Sequence, residues 1–320
     1  MNLRWRRSAP AVRPPAPTAS ATLGAPAPLE ILEQVRRLEL RMRRLVNSRF
    51  AGEYRSVYKG QGMEFSEVRE YQPGDEVRSI DWNVTARLQK PHVKRYVEER
   101  ELTVLLLIDC SASSHFGTKT RFKDDVALEV AAVLGLSALR NNDHVGMVAF
   151  TDRVEHAVPP RKGRRHGLRL LRDLLALRPI GVRTDVAMAC EQAARHLTHR
   201  SLVFVISDFR DAGAESALQR LAARHEVVVI TVDDPVERVL PSAGVLVLAD
   251  PETGERVEID SGDAAFRARY AAAAAMMDVE RSAMFARSGV TAIVLHTDGQ
   301  IVEPLLAFFR RARPRVRHRG

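Results

Sequence analysis

The sequence predicts an α/β fold, a doubly wound and mostly parallel sheet preceded by a small β-rich N-terminal module. Three observations carry this. First, an unbroken apolar run, Leu102-Thr103-Val104-Leu105-Leu106-Leu107-Ile108, stops abruptly at Asp109. Such a short run bounded by charge reads as a strand buried on both faces of a parallel sheet. Second, from residue 102 onward strand-like runs alternate with helical stretches, as in doubly wound domains. Third, acids and hydroxyls gather at the ends of these runs. Ligands of open α/β sheets bind beyond the carboxyl ends of the strands.

Each element has its own signal. Ile31, Val35, Leu38, Met42 and Leu45 place one apolar stripe on a helix over 29–48, which either docks on its own domain or forms a two-heptad dimer seam. Residues 53–100 are polar and aromatic. There Gln72-Pro73-Gly74-Asp75 marks a turn, Asp75 is placed to cap a short helix carrying Ile80, Asp81 and Trp82, and 92–97 alternates as a strand. Gly60-x-Gly62 neither follows a buried strand nor opens a helix, so it is no phosphate loop. A helix over 121–140 ends at Asn141-Asn142-Asp143, and strand 145–150 follows. An edge strand over 154–158 is expected to stop at Pro159-Pro160. Helices over 168–177, 186–198 and 214–224 alternate with strands over 201–208 and 226–232. The turn Asp250-Pro251-Glu252-Thr253-Gly254 joins strands 245–248 and 256–259 as a hairpin. A helix over 263–287, a strand over 291–296 and a helix over 303–311 complete the chain. This divides it into a disordered leader (1–28), a helix with the β-rich module (29–100), the α/β core (101–235), a C-terminal extension of that core (236–310) and a basic tail (311–320).

The 320 residues carry a formal charge of +9. Residues 1–28 hold four Arg and residues 310–320 hold six, neither with an acid. Without these ten, 39 basic residues face 40 acidic ones. The basicity therefore belongs to solvated tails, and a nucleic-acid role would be confined to weak, salt-sensitive binding through them. Two cysteines, Cys110 and Cys190, supply neither a disulfide framework nor a zinc spacing and read as buried thiols. No apolar run approaches the roughly 20 residues that span a bilayer, and the Pro/Ala/Arg leader lacks the apolar segment of a secretory signal, so a cytoplasmic protein is expected.

Three segments supply oxygens to one sheet edge: Asp109-x-Ser111-x-Ser113 after the buried strand, Thr184 in the loop before a helix, and Asp208 ending a later strand. One carboxylate with neutral oxygens suits a hard divalent cation such as Mg2+. The same residues also commonly cap turns and helix starts. Asp124, Asp125 and Asp185 lie near in sequence but match no position of the pattern. The order and spacing resemble the metal-ion-dependent adhesion site of von Willebrand factor A-type domains. That resemblance implies Mg2+ or Mn2+ bound directly by Ser111, Ser113 and Thr184. Asp109 and Asp208 would be carboxylate partners, with a sixth position left for water or an acid from a protein partner.

A second resemblance covers residues 60–82. Gly60, Gly62, Glu64, Phe65, Arg69, Tyr71, Gly74, Asp75, Arg78, Asp81 and Trp82, in that order, resemble the signature of the bacterial domain of unknown function 58 family. Members carry this segment directly before a von Willebrand A-like domain. Many also have two N-terminal transmembrane helices, which this sequence lacks, so it looks like the soluble short form. The family's frequent neighbourhood with MoxR-type AAA+ ATPases implies such an ATPase as partner, in chaperone-like assembly or maturation. The signature residues themselves read either as a staple or as a partner surface. As a staple, Arg69, Asp75, Arg78 and Asp81 form salt bridges and Tyr71 and Trp82 are partly buried anchors.

The expected function is thus metal-dependent protein–protein interaction, without catalysis. The enzymatic alternative is a haloacid-dehalogenase-like phosphohydrolase, which Asp109 and the later Asp208-x-x-Asp211 resemble. There the position two residues after the nucleophile is a general acid, and here it is Ser111, which cannot do that work.

Overall fold

The computed structural model describes residues 28–45, 53–54, 64–97, 102–118, 121–211 and 213–312. The leader up to residue 27, Gly60, Gly62 and the tail from 313 lie outside the described residues, as do the side chains of Glu64, Phe65 and Arg78.

The centre is β3 (Thr103–Asp109), whose residues Val104 to Ile108 are all buried. It is flanked by β4 (His144–Phe150) and β6 (Leu202–Ile206), then by β7 (Glu226–Asp233) and β10 (Thr291–His296), all parallel. Only β5 (Val154–Arg161), at the edge beside β4, is antiparallel, giving the order β10-β7-β6-β3-β4-β5. Helices cover both faces, which is why the inner strands are continuously apolar. On one face α3 (Lys123–Arg140), α4 (Arg164–Ala176) and α8 (Val302–Ala312) pack around Leu106, Ile108 and Phe204. On the other, α5 (Val186–His196), α6 (Ala214–Ala222) and α7 (Ala264–Arg287) pack around Leu107, Phe150 and Val205. The last strand and helix join this sheet and its helical layer, β10 adding a parallel strand beyond β7.

Edge strand β5 does not stop at Pro159-Pro160 but continues to Arg161. An edge strand tolerates the missing amides, and the register slips between Val145 and Met147, opposite the prolines. Gly146 permits the close approach, because a Cβ there would meet the Pro160 ring at 2.9 Å.

α1 (Pro28–Leu45) docks on its own domain: Val35 is buried, and Ile31 and Leu38 pack against the core. Arg164 Nε to Glu39 (2.9 Å) and Arg41 Nη1 to Glu129 (2.6 Å) tie it to α4 and α3.

In the N-terminal module β1 (Glu64–Glu70) pairs antiparallel with β2 (His92–Val97) around α2 (Trp82–Leu88). Arg69 grips Asp75 through two hydrogen bonds of 2.9 and 2.7 Å, the bidentate pair expected of a staple. Asp75 does not cap the helix; its carboxylate closes the turn by accepting the Gln72 amide. Asp81 caps instead, accepting from the amides of Asn83 and Val84. Tyr71 is half-buried, but Trp82 is 67% exposed and so is not the partly buried anchor expected. As first residue of a short helix it projects from the module. A hairpin of β8 (Val245–Ala249) and β9 (Arg256–Asp260) forms a two-stranded sheet of its own. Among the described residues, no helix is long and apolar enough to cross a membrane.

Candidate metal centre

Asp109 is the last residue of β3 and only 3% exposed. One oxygen accepts the Ser111 amide (2.9 Å) and the other the Ser207 hydroxyl (2.6 Å). The chain then turns through a 3-10 segment, Ala112–Ser114, where Ser114 Oγ donates to the Asp109 carbonyl (3.3 Å). That turn brings Ser111 Oγ within 3.0 Å of Ser113 Oγ. Two hydroxyls so placed can hydrogen-bond to each other or share a cation. An octahedral ion with bonds of about 2.0–2.1 Å has neighbouring ligands about 2.9 Å apart.

Thr184 arrives on the loop before α5. The Val182 carbonyl accepts the Ala112 amide (3.0 Å), laying this loop on the serine turn. Glu155 fastens it by accepting the amides of Ile180 (3.1 Å) and Gly181 (2.7 Å). Gly181 is required by proximity, since a Cβ would collide with Thr151 and Asp152. Asp185, next in the chain, caps α5 by accepting the Met188 amide (2.8 Å). The Thr184 hydroxyl donates to Glu252 Oε1 (2.9 Å), in the hairpin turn between β8 and β9.

Asp208 follows the end of β6, and Phe209 beyond it takes φ +54° and packs edge-on against Phe285 (5.0 Å). Asp208 receives Lys123 Nζ at 2.9 Å and the Arg210 amide at 3.3 Å. Lys123, at the start of α3, also reaches Glu237 (3.0 Å) and is itself 3% exposed. Burial works against its charge, but the two carboxylates hold the ammonium above its ordinary range. Among the described residues, Asp109 has no such cationic hydrogen-bond partner: burial, then the neighbouring Asp208 charge, push its carboxyl up to about 6.

The structure thus gathers Asp109, Ser111 and Ser113 in one turn, sets Asp208 within electrostatic reach of Asp109, and lays the Thr184 loop against the turn. Among the described residues, no group of three or more His, Cys, Asp or Glu could hold a metal. A cation here would rest on hydroxyls and on Asp109, a donor set that fits Mg2+ or Mn2+ and not a soft metal. Sequence reasoning missed Ser207, Lys123 and Glu252. Ser207 stood beside Asp208 at a strand end, where a hydroxyl was legible. A lysine opening a helix whose next turns are apolar is a weaker signal. Nothing local marks Glu252. Asp211, from the acid pair considered for catalysis, accepts the Val186 amide (3.1 Å), and burial raises its carboxyl to about 6. Burial pushes both thiols, Cys110 and Cys190, up to about 12.

The uncharacterized protein Mb1516 of Mycobacterium bovis is 35% identical over 277 residues, 86% of this chain and 87% of its own. Rv1480 of Mycobacterium tuberculosis matches equally. Among solved structures, the conserved hypothetical protein BatB from Bacteroides thetaiotaomicron is 16% identical with a TM-score of 0.43, covering 66% of this chain and 98% of that one. The family model described as "Protein of unknown function DUF58" matches residues 67–280, two-thirds of the sequence and spanning module and core together. The chain belongs to the DUF58 family.

Proposed function

We propose that this protein is a metal-dependent interaction module, in which Asp109, Ser111, Ser113, Thr184 and Asp208 hold Mg2+ or Mn2+ at the carboxyl edge of the sheet. The observation that carries this is the turn itself: two hydroxyls 3.0 Å apart beside a buried carboxyl that faces a second acid. A divalent cation there offsets both the burial and the Asp208 repulsion that raise Asp109. Bound mostly by neutral oxygens, it supplies residual positive charge to attract a partner's acid. The family resemblance supports a MoxR-type AAA+ ATPase as that partner, in chaperone-like assembly or maturation in the cytoplasm. The test is capture of such an ATPase by the purified chain with and without chelator. Capture that chelator or Ser113→Ala abolishes supports the reading; capture indifferent to both overturns it.

One observation favours a second reading. Lys123 and Ser207 stand with Asp109 and Asp208 around one pocket, as a phosphohydrolase with an aspartate nucleophile would require. Ser111 in place of a general acid weighs against it. Hydrolysis of a generic phosphomonoester, lost in Asp109→Asn, would establish it.

A further inference from the structure

We propose that Glu252 belongs to the same site: the tip of the β8–β9 hairpin presents this chain's own carboxylate where a partner's acid is to bind, so the hairpin covers the site until a partner displaces it. The inference rests on the metal-binding reading above. Its foundation is the hydrogen bond from Thr184 Oγ1 to Glu252 Oε1, 2.9 Å long, between residues 68 apart in sequence.

The hairpin tip is built to hold that glutamate in place. Asp250 Oδ1 accepts the amides of Glu252 (2.8 Å) and Thr253 (3.3 Å), while the Asp250 carbonyl accepts the Gly254 amide (2.8 Å). The Glu252 amide, then the Thr253 hydroxyl and amide, and more weakly Arg183 beside Thr184, hold the Asp250 carboxyl below its ordinary range, so the two loops also meet electrostatically. The rest of the hairpin stands clear. Its strands pair with each other and not with the main sheet, and Val245 and Val247 are each 63% exposed. It is secured at its base, where Ser261 bonds Gly244 and Ile259 is buried.

A two-stranded hairpin is marginal by itself, and one partly exposed hydrogen bond adds only about 1 kcal/mol. A cation on Thr184 changes this balance, because the same carboxylate then gains a charge partner. Glutamate has the chemistry a docking acid needs, so cover and partner compete for one position.

The experiment is a Mn2+ titration of the full chain, wild type against Glu252→Gln and Ser113→Ala. It is read by water-proton relaxation of the bound ion and by hydrogen exchange of the 245–260 amides. Glutamine keeps an acceptor for Thr184 and removes the charge. Expected for Glu252→Gln are Mn2+ binding weakened roughly tenfold, one additional exchangeable water on the ion, and hairpin amides whose exchange no longer slows when Mn2+ is added. Unchanged affinity and water count in Glu252→Gln, with binding lost in Ser113→Ala, overturn the cover and leave the metal site standing. Weaker binding with an unchanged water count also overturns it, since Glu252 would then only orient Thr184. A wild type that binds no Mn2+ removes both readings.

Discussion

Replacing Lys123 with methionine isolates the electrostatics of the candidate site. Methionine fills nearly the same volume, so packing around the start of α3 is kept while the charge is lost. Lys123 is 3% exposed, its ammonium bridges Asp208 at 2.9 Å and Glu237 at 3.0 Å, and Asp208 is only 7% exposed. Breaking a buried pair by removing one partner costs about 3–5 kcal/mol, because the other charge stays buried. At about 2–3 °C per kcal/mol for a domain this large, Tm should fall by roughly 6–15 °C. The sign of the pH response is fixed as well. In the wild type Lys123 is held above its ordinary 10.5, so its stabilisation is complete below that pH and lost as the pH climbs past it. Urea unfolding followed by circular dichroism, at several pH values, measures all of this. Mg2+ should also restore more stability to Lys123→Met than to the wild type, because a cation replaces the missing charge. A variant within about 1 kcal/mol of wild type at neutral pH would refute the reasoning, since a charge so deeply buried cannot be silent.

Three further outcomes are expected. Arg281→Gln should cost about 3 kcal/mol in urea unfolding, because Asp233, 2% exposed, would lose its bidentate arginine and keep, among the described residues, the single hydrogen bond from Arg238 and the more distant charge of Arg210. Burial alone would raise Asp233, yet the arginines hold it below its ordinary 3.8. The pair's contribution is therefore present above that pH and lost as pH falls toward the lowered value, and the variant should show a flatter acid limb. Gly181→Ala should destabilise by roughly 1–3 kcal/mol and weaken Mn2+ binding together, because its methyl group meets Thr151 and Asp152 beneath the Thr184 loop. In native protein at pH 8, Cys110 and Cys190 should react with a disulfide reagent only slowly, since burial pushes both thiols up to about 12. Rapid reaction should appear on unfolding in urea.

How much was legible in the letters depends on the range of the interaction. Periodicity placed the buried strands, the helices between them and the 245–260 hairpin, because burial on two faces writes itself as a continuous apolar run. It failed at Pro159-Pro160, which local rules make a stop. The structure makes them a bulge on an edge strand, where missing amides cost little. It also misplaced the cap of α2: Asp75 and Asp81 are both plausible by type, and only the Arg69 pairing shows which one is already engaged. At the site, the Asp109-x-Ser111-x-Ser113 turn is local and could be read directly. Lys123 beside Asp208, Ser207 on Asp109 and Glu252 on Thr184 could not, because each pair lies 68 to 98 residues apart in the chain.

By itself, then, the sequence determined an α/β core with acids and hydroxyls at its strand ends, since alternation and short motifs act over a few residues. Only the tertiary structure decided which acid keeps a cationic partner and which is left without one. That follows from burial and distance between remote segments, which set electrostatics in a low-dielectric interior and leave no trace in local order.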